Sequence, residues 1–421
     1  MLNLRQLLLL SFFLLPGFGL FAQKKSQDKF LTKLLQSQKD SLLNHVLKYQ
    51  EKYHVQVLYT QIDRDKNNQP SFKSYTLGVD PERYYYPAST VKLATAAAAL
   101  EKLNSLQISG LTRNTPMRTD SAYAMQTRAV TDSTSANGLP SVGHYIKKVL
   151  LVSDNDAYNR LYEFVGQQTL NEALHKKGHE DVRIIHRLSV GDSGERRRYT
   201  NPITFYQNGQ LIYNQPLAYN PNEYQNKLKS TKLGVGYYQN GKLVSEPMDF
   251  SNMNFMSITS QQAILQSLIF PEAVPAKQRF NLTAEDYTFL YKYMGMLPHE
   301  SNYPAYNSTD YYDAYVKFLL FGSDKEAMPK HIRSFNKVGD AYGFLIDNAY
   351  IVNFENKVEF MLTAVILVNE AMVFNTNDYQ YDTIGFPFMK KLGQAVYEHE
   401  LERKRKYKPD LSKFQVFEEQ L

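Results

Sequence analysis

A serine and a lysine three residues apart form a potential catalytic pair in this 421-residue sequence. They are the ends of Ser89-Thr90-Val91-Lys92, and on a helix this spacing places both side chains on one face. A serine hydroxyl becomes a nucleophile when a neighbouring base takes its proton, and a desolvated lysine can be that base. The same spacing occurs at Ser26 and Ser334, but Ser89 opens an apolar, alanine-rich segment that predicts a buried helix. Ser89 is therefore the candidate nucleophile.

Two further short segments combine polar side chains with predicted regular structure. Ser153-Asp154-Asn155 lies between two predicted helices, where a serine can pass a proton to a leaving group and an asparagine amide can hold a substrate carbonyl. Taken alone, this tripeptide favours a second interpretation, an N-cap of the following helix. Lys337-Val338-Gly339 offers a cation for a substrate carboxylate and a glycine that lets substrate approach a strand edge, although alone it would be a surface lysine.

In this order, the three segments resemble the S-x-x-K, S-D-N and K-T-G motifs of class A β-lactamases and penicillin-binding proteins. The resemblance continues in Pro87-Ala88, before the nucleophile, and in Tyr342-Gly343, after the third segment. It implies an α/β lobe and a helical lobe with the site in the cleft between them. The roles that it implies are Ser89 as nucleophile, Lys92 as its base, Ser153 as proton shuttle, Asn155 as clamp on lysine and substrate, Lys337 as anion binder, Gly339 as the point of close approach, and the backbone N–H groups of Ser89 and Asp340 as the oxyanion hole.

Two departures from that family concern deacylation and substrate binding. Class A β-lactamases hold the hydrolytic water with a loop glutamate that is followed by a leucine-asparagine pair, and no Glu-x-x-Leu-Asn occurs in the corresponding loop here. Asp192 and Glu195 are candidate deacylation bases, although a surface loop carries such acids in any case. Val338 stands where the family has threonine or serine, so a hydroxyl that would bond the substrate is absent. The resemblance therefore implies inefficient hydrolysis of β-lactams.

The helices and strands that must position these residues can be predicted from the sequence, and together they indicate an α/β fold of the α+β type. Hydrophobic periodicity indicates one long amphipathic helix from Phe30 to Leu47, a hairpin from His54 to Leu77, strands within 342–368 and a helix from Phe386 to Arg403. If the first hairpin pairs with the last strands, one antiparallel sheet is flanked by N- and C-terminal helices, with an all-helical lobe between. Two Asn-Gly turns predict a β-hairpin insertion over 203–255.

The domain prediction follows from these elements. We expect a single β-lactamase-like serine hydrolase domain over residues 23–421, behind a signal peptide over residues 1–22. Its α/β lobe combines 23–88 with 330–421, and its helical lobe spans 89–329 and contains the hairpin-rich insertion 203–255.

The N-terminus predicts export. Arg5 precedes an apolar run from Leu7 to Leu15, Pro16 interrupts this run, and Ala22 offers a small residue for cleavage. A membrane span needs about 20 apolar residues, so the run is short for an anchor. We therefore expect a periplasmic or secreted protein without a stable membrane anchor.

Composition excludes several classes of protein. There is no cysteine, which removes disulfides and thiolate metal sites, and the nine histidines form no H-E-x-x-H motif. The formal charge of +6 is spread along the chain, and the basic run at 403–406 ends a predicted helix, where cations complement the helix dipole. We expect no metal, no other cofactor and no nucleic-acid partner, and we expect a monomer.

Three functions remain open at this point. The first is an exported serine hydrolase that forms an acyl-enzyme at Ser89 and opens β-lactam rings. The second is a peptidase or amidase like the penicillin-binding proteins, which acts on cell-wall peptides and deacylates slowly. The third is a non-catalytic binding protein on the same scaffold, suggested by the insertion and by the 32 tyrosines of the chain.

Overall fold

The computed structural model describes residues 29–225 and 228–417, so the predicted signal peptide lies outside the described residues. No helix in these ranges is both long and apolar enough to cross a membrane. The α-helices of the described ranges are α1 (Lys29–Ser37), α2 (Ser41–Lys48), α3 (Val91–Leu106), α4 (Val142–Val152), α5 (Asn155–Val165), α6 (Gln167–Lys176), α7 (Ile258–Ile269), α8 (Ala284–Gly295), α9 (Phe318–Phe321) and α10 (Phe386–Glu402).

The strands fall into one large sheet and several small ones. They are β1 (Gln56–Arg64), β2 (Pro70–Leu77), β3 (Met117–Thr119), β4 (Tyr199–Thr200), β5 (Ile203–Gln207), β6 (Gln210–Gln215), β7 (Ala218–Tyr219), β8 (Lys232–Leu233), β9 (Gly236–Gln239), β10 (Lys242–Val244), β11 (Met248–Asp249), β12 (Ile332–Ala341), β13 (Phe344–Asn353), β14 (Val358–Leu367) and β15 (Val373–Phe374).

The large sheet joins the two ends of the chain. Its five strands are antiparallel and run in the order β12-β13-β14-β1-β2, so β1 pairs directly with β14 and Val57 lies opposite Ala364. Every residue of β13 and of β14 is buried, including the polar Asp347, Asn348 and Thr363, so neither strand alternates between buried and exposed residues. The structure confirms the predicted fold class, an antiparallel sheet with helices before and after it and a helical lobe.

Two apolar clusters cover the two faces of the large sheet. One contains side chains of α1, α2 and α10, among them Leu35, Val46 and Val396. The other contains side chains of α3, α4, α5 and α7 and extends through the helical lobe. Helix α3 lies in this second cluster and is buried at eleven of its positions, because its small alanines allow neighbouring helices to approach from several sides. The helix that follows Ser89 is therefore held rigidly from several directions.

The N-terminal helix differs from the prediction. Where hydrophobic periodicity indicates one long helix, the structure has two, α1 and α2, separated at residues 38–40. Lys39 has a φ of +54°, outside the helical region, and the Asp40 carboxylate accepts hydrogen bonds from the backbone N–H groups of Leu42 and Leu43. This N-cap starts a new helix, since it satisfies donors that have no partner within the helix. Periodicity alone did not detect the break.

The insertion contains the two predicted hairpins. Asn208-Gly209 joins β5 to β6, and Asn240-Gly241 joins β9 to β10; all four turn residues have positive φ, as a type I′ turn requires. The second hairpin reaches the end of the large sheet, because β15, which follows β14, pairs in parallel with β9. In addition, the Asn375 side chain donates to the Tyr238 carbonyl at 3.0 Å. The insertion therefore borders the region where the lobes meet.

Candidate active site

Ser89 lies in a strained turn at the start of α3. It belongs to a 3-10 helix, Ala88–Thr90, and Ala88 has a φ of +46°, which is costly for a residue with a Cβ. Thr90 holds the turn, because its backbone N–H and its hydroxyl both donate to the Pro87 carbonyl, at 3.1 and 2.6 Å. The turn presents the partly exposed Ser89 to a cavity of about 310 Å³.

Lys92 occupies the first turn of α3 and is fully buried. Its amine contacts the Ser153 carbonyl at 2.5 Å, the Asn155 Oδ1 at 2.6 Å and the Ser153 hydroxyl at 3.2 Å. Within the described residues, its hydrogen bonds go to this pair and not to Ser89. Burial and the neighbouring Lys337 amine hold the pKa of Lys92 well below its usual value. The amine is therefore more readily neutral, which is the state that a general base needs.

The segment Ser153-Asp154-Asn155 is both a helix cap and part of the polar site. Asp154 is the N-cap of α5 and accepts a hydrogen bond of 2.8 Å from the Ala157 backbone N–H. Ser153 ends α4 with a φ of +61°, so the chain turns sharply there and directs Ser153 and Asn155 towards Lys92. The two interpretations of the tripeptide therefore apply to different residues, the cap to Asp154 and the polar site to its neighbours.

Lys337 reaches the same site from the edge strand of the large sheet. The strand is β12, and the buried Lys337 amine donates to the Ser153 hydroxyl at 2.8 Å and to the Val338 carbonyl at 3.0 Å. Burial lowers the pKa of Lys337 to about 7. The Ser153 hydroxyl thus lies between two lysine amines whose pKa values are both depressed, a geometry that permits proton transfer through the hydroxyl.

Gly339 and Asp340 bring the edge of β12 against the turn that carries Ser89. A Cβ at Gly339 would lie 2.9 Å from the Ser89 backbone nitrogen and 2.8 Å from the Pro87 carbonyl oxygen, so only glycine fits there without displacement of backbone. Ala341 and Phe344 pair with each other on either side of the two-residue turn that joins β12 to β13. Backbone N–H groups of successive residues point alternately towards and away from the neighbouring strand, so the N–H of Asp340 points away from β13. The Asp340 N–H therefore faces the free edge, on the side of Ser89.

Val338 does not face the cavity. Its side chain is 2% exposed and belongs to the apolar cluster beneath α1, α2 and α10. Consecutive strand residues point to opposite faces of a sheet, so Lys337 and Val338 diverge. The expectation that a hydroxyl at this position would bond the substrate does not apply to this geometry.

The two candidate deacylation bases lie apart from Ser89. Asp192 accepts hydrogen bonds of 3.1 Å from both the backbone N–H and the guanidinium of Arg187, and its side chain is 6% exposed. Glu195 accepts a hydrogen bond of 2.7 Å from the Tyr219 hydroxyl. Neither acid lines the cavity that contains Ser89. The structure therefore brings together the other predicted site residues but not these two.

Ser189 occupies the position nearest the site in this loop. The Asn159 side chain holds the adjacent residue, Leu188, by accepting from its N–H at 2.8 Å and donating to its carbonyl at 3.0 Å. Ser189 then adopts a φ of +58°, accepts a hydrogen bond of 2.9 Å from the Asn155 amide, and lines the cavity with Ser89. Sequence reasoning did not identify Ser189 as a site residue.

Several other residues of the cavity wall were also missed. They come from distant parts of the chain and are Tyr86, Tyr342, Asn375, Thr376 and Tyr379. The one local signal was the run of three tyrosines that ends at Tyr86, next to the nucleophile segment. Among residues 29–225 and 228–417, no group of three or more histidine, aspartate or glutamate side chains is arranged to hold a metal ion.

Comparisons with known proteins agree with part of this description. No curated protein matches the chain. Among solved structures it is similar to a β-lactamase from Xanthomonas campestris pv. campestris, with 13% identity, a TM-score of 0.46 and coverage of 89% of this chain and 98% of that one. It is also similar to a β-lactamase from Sphaerobacter thermophilus, with 12% identity, a TM-score of 0.45 and coverage of 88% and 97%. Residues 38–229, which include the segments of Ser89 and Ser153, match the model of the β-lactamase enzyme family, and this match supports a β-lactamase-like hydrolase.

Proposed function

We propose that this protein is a serine hydrolase that opens β-lactam rings through an acyl-enzyme at Ser89. The observation that carries the proposal is the hydrogen-bonded series Lys92–Ser153–Lys337, next to a partly exposed serine three residues before Lys92. A buried lysine with a depressed pKa activates a serine, and a hydroxyl bonded to that lysine can return the proton to a leaving group.

In the proposed acylation, the Lys92 amine removes the proton from the Ser89 hydroxyl. The serine oxygen bonds to the lactam carbonyl carbon, and the carbonyl oxygen becomes an oxyanion that the N–H groups of Ser89 and Asp340 would bind. Collapse of this intermediate breaks the C–N bond, and Lys92 returns the proton to the departing nitrogen through Ser153. The product is an ester at Ser89. Because Lys92 is bonded to Ser153 and Asn155, proton transfer requires the Ser89 hydroxyl and the Lys92 amine to come within hydrogen-bond distance of each other.

A second candidate function is that of a penicillin-binding-protein-like peptidase or amidase with slow deacylation. One observation favours it: neither Asp192 nor Glu195 lines the cavity of Ser89, so neither is placed to activate a water against the ester. Under this function, cell-wall peptides are the substrates and β-lactams acylate without rapid turnover.

One experiment tests the acyl-enzyme and separates the two functions. Purified protein and a Ser89→Ala variant are incubated with a fluorescent penicillin, and intact mass is followed over time. We expect an adduct on the wild-type protein and none on the variant. Rapid loss of the adduct with release of opened penicillin supports the β-lactamase, whereas a stable adduct supports the peptidase or amidase. If the wild-type protein forms no adduct and turns over no substrate, both hydrolase functions are wrong, and a non-catalytic binding protein is favoured.

We also propose export to the periplasm or medium, which rests on the sequence of residues 1–22. N-terminal sequencing of the protein recovered from each cell fraction tests it. We expect a mature chain that begins near Gln23 outside the cytoplasm. Full-length protein in the cytoplasm alone would contradict export.

A further inference from the structure

The cavity that contains Ser89 continues into a larger one. The second cavity has a volume of about 780 Å³ and shares four wall residues with the first: Tyr86, Ser189, Tyr342 and Asn375. Its wall also includes Gln239 and Asn252 of the insertion. The cleft therefore extends well past the reacting serine and ends against a segment that contains the two hairpins.

A third, smaller cavity follows the second and is rich in arginine. It has a volume of about 200 Å³ and shares Arg197 and Asn252 with the large cavity. Among residues 29–225 and 228–417, its charged wall residues are three arginines, Arg183, Arg197 and Arg198, and one glutamate, Glu223, so their net charge is +2. The glutamate side chain is 78% exposed and lies 3.7 Å from Arg198. The far end of the cleft is therefore positively charged.

Arg183 differs from the other two arginines because, within the described residues, its guanidinium makes a single long hydrogen bond. It is 6% exposed, and its Nε and Nη2 atoms are buried without a hydrogen-bond partner in residues 29–225 and 228–417. Its Nη1 reaches the Tyr224 carbonyl only at 3.5 Å, where a hydrogen bond is weak. In contrast, Arg197 donates to the carbonyl and side chain of Asn252 at 2.7 and 2.9 Å. Two parallel N–H donors of a guanidinium bind an oxyanion together. Because Nε and Nη2 of Arg183 are themselves buried, an oxyanion in the cavity pairs with them once the Arg183 side chain turns towards it.

We propose that this arginine-lined cavity binds the carboxylate at the far end of an extended, polar substrate whose carbonyl lies at Ser89. The inference rests on the proposed acyl-enzyme at Ser89 and concerns acyl donors longer than a β-lactam, as in the second candidate function. A compact β-lactam fits the cavity at Ser89 and does not reach Arg183, because the 780 Å³ cavity lies between them. An elongated peptide-like acyl donor passes Tyr342 and Asn252 and ends at Arg183.

The test uses two pairs of probes. One pair consists of fluorogenic ester peptides of graded length that end in a carboxylate or in the matching carboxamide, and nitrocefin serves as the compact substrate. The second pair consists of the same peptides labelled with a fluorophore, whose binding to the Ser89→Ala variant is measured by anisotropy. Each probe is applied to wild-type, Arg183→Gln and Arg197→Gln backgrounds. Arg196→Gln is the matched control, because Arg196 belongs to the same arginine run but lines neither of the two distal cavities.

We expect the Arg183→Gln change to lower kcat/KM about 10-fold to 100-fold for the carboxylate peptides of sufficient length, which is the effect of losing a charged hydrogen-bonded pair. Nitrocefin, the carboxamide peptides and the Arg196→Gln control should be unaffected. Equal losses for carboxylate and carboxamide would overturn the proposal, as would equal losses for nitrocefin. If inorganic phosphate displaces the labelled peptides and the carboxylate peptide binds no more tightly than the carboxamide, the cavity binds phosphate and the proposal is overturned.

The binding experiment keeps the two proposals apart. If no substrate acylates the wild-type protein, the hydrolase function fails, but anisotropy with the Ser89→Ala variant still reports whether the carboxylate peptide is preferred and whether Arg183 causes that preference. If turnover occurs while carboxylate and carboxamide bind equally, the hydrolase function stands and the distal site is wrong. Melting temperatures of all variants show whether any loss comes from unfolding, and Arg197→Gln provides a second disruption of the same cavity.

Discussion

The Lys337 amine donates a 2.8 Å hydrogen bond to the hydroxyl of Ser153, although 184 residues separate the two in the chain. The same hydroxyl lies 3.2 Å from the Lys92 amine. An edge strand, a helix–helix junction and the start of a buried helix therefore meet at one oxygen atom. Because each lysine is buried, removal of that oxygen would cost both amines one hydrogen bond and leave Lys92 to the Ser153 carbonyl and Asn155, and Lys337 to the Val338 carbonyl.

The first prediction concerns this hydroxyl. We expect Ser153→Ala to lower the acylation rate about 100-fold, since it removes the route by which a proton reaches the leaving nitrogen. Stopped-flow kinetics with nitrocefin or a penicillin measures the rate, and thermal unfolding of the same variant shows whether the fold survives. An unchanged acylation rate in a folded variant would rule out proton transfer through Ser153.

The second prediction is a bell-shaped dependence of kcat/KM on pH for an anionic β-lactam. Activity should rise on the acid side as Lys92 loses its proton, and fall on the alkaline side as Lys337, with a pKa of about 7, loses the charge with which it would bind the substrate carboxylate. The two limbs belong to the pair of lysines together, because their charges interact. Lys337→Arg should remove the alkaline limb, since a guanidinium stays charged. Persistence of that limb in the arginine variant would contradict this assignment.

The third prediction concerns the close approach at Gly339. We expect Gly339→Ala to lower acylation at least about 100-fold, because the added methyl group would force β12 away from the Ser89 nitrogen, and to destabilise the fold by about 1–3 kcal/mol. Gly138→Ala is a suitable control, because Gly138 has a φ of +73° and a Cβ there would meet nothing within 4 Å. That change should destabilise by about 1–2 kcal/mol from backbone strain alone. Equal acylation losses in both variants would show that stability, not geometry, is responsible.

The fourth prediction concerns the residue between Lys337 and Gly339. Val338→Thr restores a hydroxyl typical of the resembled motif, yet we expect no faster β-lactam turnover, because the side chain is buried in an apolar cluster. Burying an unpaired hydroxyl should lower the free energy of unfolding by about 1–3 kcal/mol. Urea unfolding and nitrocefin hydrolysis measure the two effects. Faster hydrolysis in the threonine variant would mean that this position faces the substrate.

Local sequence signals predicted the elements more accurately than their boundaries. The Asn-Gly turns identified both hairpins, because two residues with positive φ suffice to define a type I′ turn. The break at Asp40 was missed, since apolar spacing continues across it and only the carboxylate shows where the second helix begins. The wall residues Tyr342 and Asn375 were not identified as part of the cavity, because nothing in the sequence around them indicates that β15 pairs with the insertion.

The sequence by itself determined which segments carry the candidate catalytic residues and in what order they occur, because helix-forming and turn-forming tendencies depend on neighbouring residues. Tertiary structure decided which serine each lysine meets. Ser89 lies in the 3-10 turn that leads into α3 and Lys92 lies in the first turn of α3, whereas Ser334 and Lys337 have the same spacing on β12. Side chains three positions apart on a strand point to opposite faces of the sheet. The Ser334 hydroxyl is therefore buried without a hydrogen-bond partner in the described residues, whereas the Lys337 amine bonds to Ser153. The same Ser-x-x-Lys spacing therefore gives two different arrangements, and at Ser334 and Lys337 the pairing of β12 with β13 determines the arrangement.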